Sequence, residues 1–176
     1  MNKFYISDTH FGHDKILDFE GDARPFGCII EHDEELILRW NSVVGKRDVV
    51  VHLGDVAFKP ATTLDRVMPR LNGIKKLVLG NHDTADIHRY LKYFTKVYSA
   101  IEDKEAGILF SHYPVHPSQL EFRYKYNVHG HMHSAVIVDK RYLNISCEHT
   151  SLTPIPHEEI MKKIERFKNE NCKKKN

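Results

Sequence analysis

The sequence predicts an α/β fold of four layers, an αββα sandwich in which two mixed β-sheets pack face to face and helices lie outside. In the first half of the chain, short β-branched apolar runs alternate with runs of helical period. In the second half, strand-like runs follow one another with few helices between them. Each sheet must bury an apolar face, and two sheets packed together satisfy this requirement.

The first half contains strands and helices in alternation. Runs rich in Val, Ile and Leu predict buried strands over residues 3–7, 48–53 and 75–79. Apolar residues at helical spacing predict helices over residues 31–44, 61–71 and 86–94. The segment 11–30 remains as a helical turn and loop.

The second half is rich in strands and ends in a helix. Strands are predicted over residues 96–101, 107–111, 126–130, 135–139 and 142–146. The final helix is predicted over residues 156–168. No repeat or linker divides the chain, so we expect one domain over residues 1–170 and a basic tail over residues 171–176.

Composition excludes several classes of protein. Lys and Arg number 26 against 24 Asp and Glu, a net charge of +2, which argues against a broad basic face for nucleic acid. No apolar run approaches the roughly 18 residues of a membrane span, and the N-terminus lacks a signal-peptide core. Three cysteines without paired metal spacing predict no disulfide framework. We therefore expect a cytoplasmic protein without a membrane partner.

Five of the predicted strands end in residues that commonly bind metals, which accounts for many of the 13 histidines. The clusters contain Asp8 and His10; Asp55; Asn81, His82 and Asp83; His112; and His131 and His133. Side chains at the carboxyl ends of strands converge in α/β sheets. Residues two apart on a strand point to the same side, so we expect Asp8 with His10, and His131 with His133, each to direct two side chains to one side. Asp, His and Asn without Cys favour Mn, Fe or Zn.

The ordered set resembles the calcineurin-like metallophosphoesterases, a family built on a two-sheet sandwich with helices outside. Their blocks Asp-x-His, Gly-Asp, Gly-Asn-His-Asp, His and Gly-His-x-His are all present between residues 8 and 133. The opening Asp-Thr-His-Phe-Gly-His at residues 8–13 and Arg-Pro-Phe at residues 24–26 are similar to a compact bacterial and phage branch of that family.

The resemblance implies two divalent metal ions that share Asp55. The first ion would be bound by Asp8, His10, Asp55 and His133. The second would be bound by Asp55, Asn81, His112 and His131. Manganese is the metal we expect first, with iron, zinc, nickel and cobalt as alternatives. Two ions clamped by one carboxylate would activate a shared water as a hydroxide for in-line attack on phosphorus.

The resemblance also implies the protein groups that assist hydrolysis. His82 would meet the phosphate and protonate the leaving oxygen, and Asp83 would orient His82. Asn81 would add a neutral oxygen beside the anionic substrate. We therefore expect a phosphodiesterase acting on a small, nucleotide-like phosphodiester. A phosphomonoesterase or nuclease with the same centre, and a non-catalytic scaffold, are the alternatives; the oligomeric state is not assigned.

Two loops are candidates for substrate contact. In segment 11–30, Arg24 either binds a substrate phosphate or is solvated or paired with Asp22. In segment 113–126, interleaved aromatic and basic residues either stack a base or pack onto the sheet edge. His52 is predicted as a core histidine, His129 as a neighbour of the metal ligands, and His13 is undecided between the site and the surface. The remaining histidines are predicted at the surface or in loops: His32, His88, His116, His149 and His157.

Overall fold

A computed structural model describes residues 1–173 of the chain, with side chains as far as residue 167. The strands are β1 (Lys3–Ile6), β2 (Val49–His52), β3 (Ile74–Val78), β4 (Phe94–Tyr98), β5 (Ile101–Asp103), β6 (Ile108–Phe110), β7 (Tyr126–His129), β8 (Tyr142–Asn144) and β9 (Ile155–Pro156). The helices are α1 (Ile16–Phe19), α2 (Ile29–Val43), α3 (Pro60–Val67), α4 (Ile87–Leu91) and α5 (His157–Lys173).

The strands form two mixed sheets, as predicted. The first sheet has the order β4-β3-β2-β1-β9, in which β9 runs antiparallel to β1 and the other neighbours are parallel. The second sheet has the order β5-β6-β7-β8, in which β5 is antiparallel to β6 and the rest are parallel. Parallel runs in both sheets bring the carboxyl ends of several strands to shared edges.

The two sheets pack face to face across a buried apolar cluster. Val51 and Val78 of the first sheet lie in one cluster with Phe110 and Val128 of the second. The ring of Tyr5 stacks on that of Phe110, with centroids 4.6 Å apart. The predicted α/β sandwich of two mixed sheets is therefore confirmed.

The outer faces of the two sheets are covered in different ways. Helices α2 and α3 cover the first sheet, where Trp40 and Leu64 join a cluster with Ile6 and Val50. The outer side of the second sheet packs against a 3-10 turn at Pro117–Leu120 and the loop that follows it. Segment 113–126 thus contributes to the core.

Several predicted element boundaries were wrong. Residues 135–139 are irregular, with a bend at Val138, which is 97% exposed. Within the described part of the chain, β8 is the edge of its sheet, so the predicted strand does not form there. The predicted strand over 96–101 is divided between β4 and β5, which lie in different sheets. Helix α3 ends at Val67 and continues as a 3-10 turn, in which Pro69 has no N–H to extend the α-helical bonding.

The C-terminal helix is longer than predicted. Helix α5 runs to Lys173 and includes residues 171–173, which we predicted as part of the tail. The rest of the predicted tail, residues 174–176, lies outside the described residues. Within the described part of the chain, none of the helices combines the length and apolarity needed to cross a bilayer.

Candidate metal centre

The predicted metal-binding residues lie in loops that directly follow the carboxyl ends of strands in both sheets. Asp8, Asp55 and Asn81 follow β1, β2 and β3, which are neighbours in the first sheet. His112 and His131 follow β6 and β7, which are neighbours in the second. A hydrogen bond from the backbone N–H of His131 to Oδ2 of Asp8, 3.0 Å long, joins the loops of the two sheets. The site therefore lies where these two sets of strand ends meet.

The side chains form two groups of closely spaced donor atoms. In the first group, one donor atom each from Asp8, His10 and His133 lies within 4.8 Å of the others. In the second group, Asp55, His112 and His131 have the same relation.

Asp55 lies between the two groups. Its Oδ2 is 3.6 Å from Nε2 of His10 in the first group and 3.5 Å from Nε2 of His112 in the second. Oδ1 of Asn81 lies 2.9 Å from the same Nε2 of His112, so Asn81 joins the second group. All seven residues of the predicted ligand set are thus brought together.

The backbone at the paired residues does not have the extended strand conformation that we expected. Asp8, His10, Asp55, His131 and His133 have φ angles of 58°, 48°, 56°, 66° and 46°, all in the left-handed region. Non-glycine residues pay of order 1–3 kcal/mol for such a conformation unless the surroundings hold it. The polypeptide therefore turns sharply at each of these five residues, and the alternating direction of side chains along a strand does not apply to them.

Two glycines allow the backbone to pass against the carboxylates. A Cβ added to Gly80 would lie 2.2 Å from Oδ1 of Asp55, and one added to Gly130 would lie 2.3 Å from Oδ2 of Asp8. Any side chain at either position would displace a carboxylate. The glycines of the Gly-Asn and Gly-His blocks are therefore required by close packing.

The buried members of the site have shifted pKa values. Burial alone would raise the pKa of Asp55, but hydrogen bonding and charge from His112, with the backbone N–H of His82, outweigh it and lower the pKa to about 2. Burial lowers the pKa of His10 well below its usual value. At neutral pH, Asp55 is an anion and His10 is neutral, which are the states that bind metal.

The donor atoms fit divalent cations. Nε2 of His10 is buried and has no hydrogen-bond partner among the described residues. Nδ1 of His112 lies 2.8 Å from the Leu53 carbonyl, and Nε2 lies 2.9 Å from Oδ1 of Asn81 and 3.5 Å from Oδ2 of Asp55. When Nδ1 donates to Leu53, Nε2 of a neutral ring is left to bind a cation. Oxygen and imidazole donors without a thiolate suit Mn, Fe or Zn.

Glu148 is a residue of the site that the sequence did not identify. Its side chain is 2% exposed, and Oε1 lies 3.0 Å from Nδ1 of His133. When that nitrogen donates to Glu148, the other ring nitrogen of His133 is left to bind a metal. Burial would raise the pKa of Glu148, but the hydrogen bond to His133 and the charge of Arg24 lower it to about 2. A lone Glu outside the metal-binding blocks gave no signal of this role in the sequence.

Arg24 is buried and paired inside the protein, which argues against the substrate contact that we predicted as one alternative. It is fully buried, and its guanidinium pairs with Glu148 at 2.7 Å rather than with Asp22. The same guanidinium donates to the backbone carbonyls of Asp8, at 2.6 Å, and Thr9, at 3.2 Å. Arg24 therefore holds the loop that carries the first predicted ligands.

Asp83 is also placed differently from the prediction. Its buried carboxylate accepts hydrogen bonds from the backbone N–H groups of Asp55, Val56 and Gly80, at 2.9, 3.0 and 2.8 Å. These bonds tie the loop after β2 to the loop after β3. Asp83 thus positions Asp55, and the expected orientation of the His82 imidazole by Asp83 is wrong.

His82 and His13 lie on the exposed side of the site. The His82 ring is exposed, its centroid lies 5.3 Å from that of His10, and its backbone N–H donates to Oδ1 of Asp55 at 2.8 Å. Nδ1 of His13 lies 3.3 Å from Nδ1 of His10, which decides the open question for His13 in favour of the site.

The other histidines divide between core and surface. His52 is buried and hydrogen-bonded to Thr9, which confirms its predicted core position. His32 is also buried, 2.8 Å from Nη1 of Arg24, so its predicted surface position was wrong. His129 is buried and bonds the Gly130 carbonyl through Nδ1.

Segment 113–126 packs mainly onto the second sheet. Tyr124 and Tyr126 are buried, which favours the packing alternative over base stacking. Tyr113 is the member that faces the site, since its ring centroid lies 4.5 Å from that of His131.

Comparison with known proteins agrees with this geometry. The model of the calcineurin-like phosphoesterase superfamily domain matches residues 1–150, a range that includes every predicted metal ligand. The chain is 30% identical over 178 residues to the uncharacterized protein MJ1445 of Methanocaldococcus jannaschii, covering 96% of this chain and 94% of that protein. It is 29% identical over 170 residues to the Gene 66 protein of Mycobacterium phage L5, covering 79% and 81%. Among solved structures, the protein of unknown function AQ665 from Aquifex aeolicus has a TM-score of 0.72 at 28% identity, covering 92% of this chain and 98% of that one.

Proposed function

Because the chain belongs to the calcineurin-like phosphoesterase superfamily, whose members are metal-dependent hydrolases, we propose that it is a binuclear phosphodiesterase acting on small, nucleotide-like phosphodiesters. The observation that carries the proposal is the position of Asp55 Oδ2, 3.6 Å from His10 Nε2 and 3.5 Å from His112 Nε2. One carboxylate between two groups of donors is the arrangement that a two-metal clamp requires.

The proposed ligand sets follow the two groups of donor atoms. One ion would be held by Asp8, His10, Asp55 and His133, and the other by Asp55, Asn81, His112 and His131. We propose manganese first, with iron, zinc, nickel and cobalt as alternatives, because oxygen and imidazole donors without thiolate accept all of these metals. When bound, two such ions activate a water and neutralise charge on the phosphoryl oxygens.

Protein groups would carry the remaining steps. His82 is exposed, and its backbone is held to Asp55, so its imidazole can reach a leaving oxygen and donate a proton to it. Asp83 acts at a distance from the substrate by fixing the Asp55 loop through the three N–H groups it accepts.

The position of Arg24 favours a diester over a monoester. A phosphomonoester dianion gains more than a monoanionic diester from a guanidinium that binds it with two hydrogen bonds. The guanidinium predicted to do so is buried against Glu148. Free cysteine thiols at Cys28 and Cys147 are in keeping with a reducing compartment, and we propose a cytoplasmic location.

Metal analysis combined with a phosphoester panel tests the proposal. The protein would be loaded with Mn²⁺, Co²⁺, Ni²⁺ or Zn²⁺ and assayed on matched chromogenic monoesters and diesters and on single-stranded oligonucleotides. We expect two ions per chain and highest activity on diesters. Asp55→Asn should lose both ions and nearly all activity, whereas the exposed Asp65→Asn on α3 should keep both.

The same panel separates the alternatives. Faster turnover of monoesters or oligonucleotides than of small diesters would favour a phosphomonoesterase or nuclease. Two bound ions without turnover of any ester would favour a scaffold. One ion per chain would contradict the binuclear proposal.

A further inference from the structure

Aromatic rings line one side of the candidate metal centre. The ring of His13 stacks on that of Phe58, with centroids 4.5 Å apart and planes 18° from parallel. Phe19 lies edge-on to His13, with centroids 6.5 Å apart. Phe58 is 40% exposed and Phe19 is 69% exposed, so both phenyl rings present apolar surface to solvent. We call these three residues the aromatic platform.

The His13 ring of the aromatic platform lies next to two residues of the proposed active site. The His13 centroid lies 5.3 Å from that of His10, a proposed metal ligand, and 6.2 Å from that of His82, the proposed acid. A phosphoester at the centre therefore places its substituent next to His13. From there, a flat group can extend over Phe58 or Phe19.

Charges beyond the platform disfavour a second phosphate. Phe19 also lines a surface cavity of about 360 Å³ whose other walls are Asp18, Glu20, Gly21, Asp22 and Ser134. Three carboxylates there repel a phosphate at the next position of a nucleic acid strand. An uncharged ring stacked on the phenyl groups avoids this repulsion.

We propose that the aromatic platform stacks a flat aromatic ring of the substrate, such as a nucleobase, so that the preferred substrates are small phosphoesters with one such ring. Base stacking on aromatic side chains is tolerant of base identity and contributes substantially to binding. This inference rests on the proposed function, because it assumes that a phosphate binds at the metal centre.

A pair of ligands that differ by one base tests the inference. Adenosine monophosphate and ribose 5-phosphate share sugar and phosphate, so their affinities for the manganese-loaded protein, measured by calorimetry, isolate the contribution of the ring. We expect adenosine monophosphate to bind about 10-fold tighter or more, the range of a stacked base. Phe58→Ala and Phe19→Ala should each reduce that ratio without changing the affinity for ribose 5-phosphate, and Phe58→Tyr should retain it.

Phe122→Ala is the matched control. Phe122 is 84% exposed, but its neighbours Arg123 and Tyr124 contact Glu102 on the edge strand β5, away from the metal centre. This variant should leave both affinities unchanged. Circular dichroism and thermal unfolding of every variant would establish that each one is folded.

Each contrary result has a distinct meaning. Equal affinities in the unsubstituted protein, or a ratio unaffected by Phe58→Ala and Phe19→Ala, would overturn the platform while the phosphoester panel could still support the proposed function. Failure to bind either ligand, with no turnover in the panel, would overturn both. A tetranucleotide that binds tighter than adenosine monophosphate would contradict the proposed repulsion of a second phosphate by Asp18, Glu20 and Asp22.

Discussion

Oε1 of Glu148 lies 3.0 Å from Nδ1 of His133, and both the carboxylate and the guanidinium of Arg24 that pairs with it are buried. Arg24 also donates to the carbonyl of Asp8, so one ion pair connects proposed metal ligands from the two sheets. The first proposed ligand group is therefore positioned by two residues that lie outside the proposed ligand sets.

Glu148→Gln tests this connection. The substitution retains a hydrogen-bond acceptor for His133 but leaves the buried charge of Arg24 without a carboxylate partner. We expect metal affinity to fall about 10–100-fold and the free energy of unfolding to fall by about 3–5 kcal/mol. Metal competition and urea unfolding measure the two effects. Glu34→Gln, which breaks the exposed pair with Arg70, is the control and should change neither. Equal losses in the two variants would contradict the connection.

Arg24→Lys distinguishes a structural arginine from a substrate-binding one. A lysine cannot reproduce the planar set of donors that reaches Glu148 and two carbonyls. We expect weaker metal binding and lower stability, with KM unchanged at saturating metal. Arg39→Lys, at a partly exposed pair with Glu35 on α2, controls for loss of a guanidinium. A raised KM with normal metal affinity would restore the discarded role in substrate binding.

His82→Ala tests the proposed acid. The bond from residue 82 to Asp55 comes from the backbone, so the variant should keep both metal ions. Loss of a general acid lowers kcat by about 10²–10⁴-fold, and most for esters with poor leaving groups. The control is His88→Ala, at an exposed position on α4, which should behave as the unsubstituted protein does. If His82→Ala loses metal, or slows all esters equally, its role is misassigned.

His52 predicts how stability depends on pH. Its Nδ1 accepts a hydrogen bond from Gly54, Nε2 donates to Thr9, and burial lowers its pKa from 6.5 to about 3. Below pH 6.5 His52 binds a proton in the unfolded chain but not in the folded protein. Its contribution to the free energy of unfolding is therefore fully present above pH 6.5 and is lost as the pH falls towards 3. The loss from His52 by pH 5 is about 2 kcal/mol.

Urea unfolding of chelator-treated protein between pH 7 and pH 4 measures this dependence. In His52→Gln the free energy of unfolding should depend less steeply on pH, by an amount that corresponds to as much as one fewer proton bound on unfolding. The variant is also expected to be less stable at pH 7. His88→Gln, at an exposed position, should retain the original slope. An unchanged slope in His52→Gln would show that other groups control the acid response.

The choice of ligands was predictable from the sequence because metal chemistry restricts residue types. Only a few side chains bind divalent cations, and strands in α/β sheets bring their carboxyl ends together. Asp8, Asp55 and His131 could therefore be named as candidates before their distances were known, and the resemblance to the family implied how the candidates divide between two ions. The sheets were predictable for a similar reason, since the apolar runs that form them must be buried.

Contacts between distant charged residues were not predictable in this way. Arg24 and Glu148 are 124 positions apart, and any of several acidic residues, Asp22 among them, was an equally reasonable partner for Arg24. The sequence pattern also did not predict the role of Asp83. Its carboxylate accepts hydrogen bonds from three backbone N–H groups in two loops, and these loops come together only when the sheets are packed.

The sequence alone determined which residues can bind metal and in which strands their loops begin, because these properties depend on residue chemistry and local periodicity. Tertiary structure decided how those residues are held. The left-handed turns at five of the proposed ligands, the close approach of Gly80 to Asp55 and the burial of Arg24 against Glu148 exist only once both sheets are packed. Each depends on the surroundings for its stability, so no single segment of the chain encodes it.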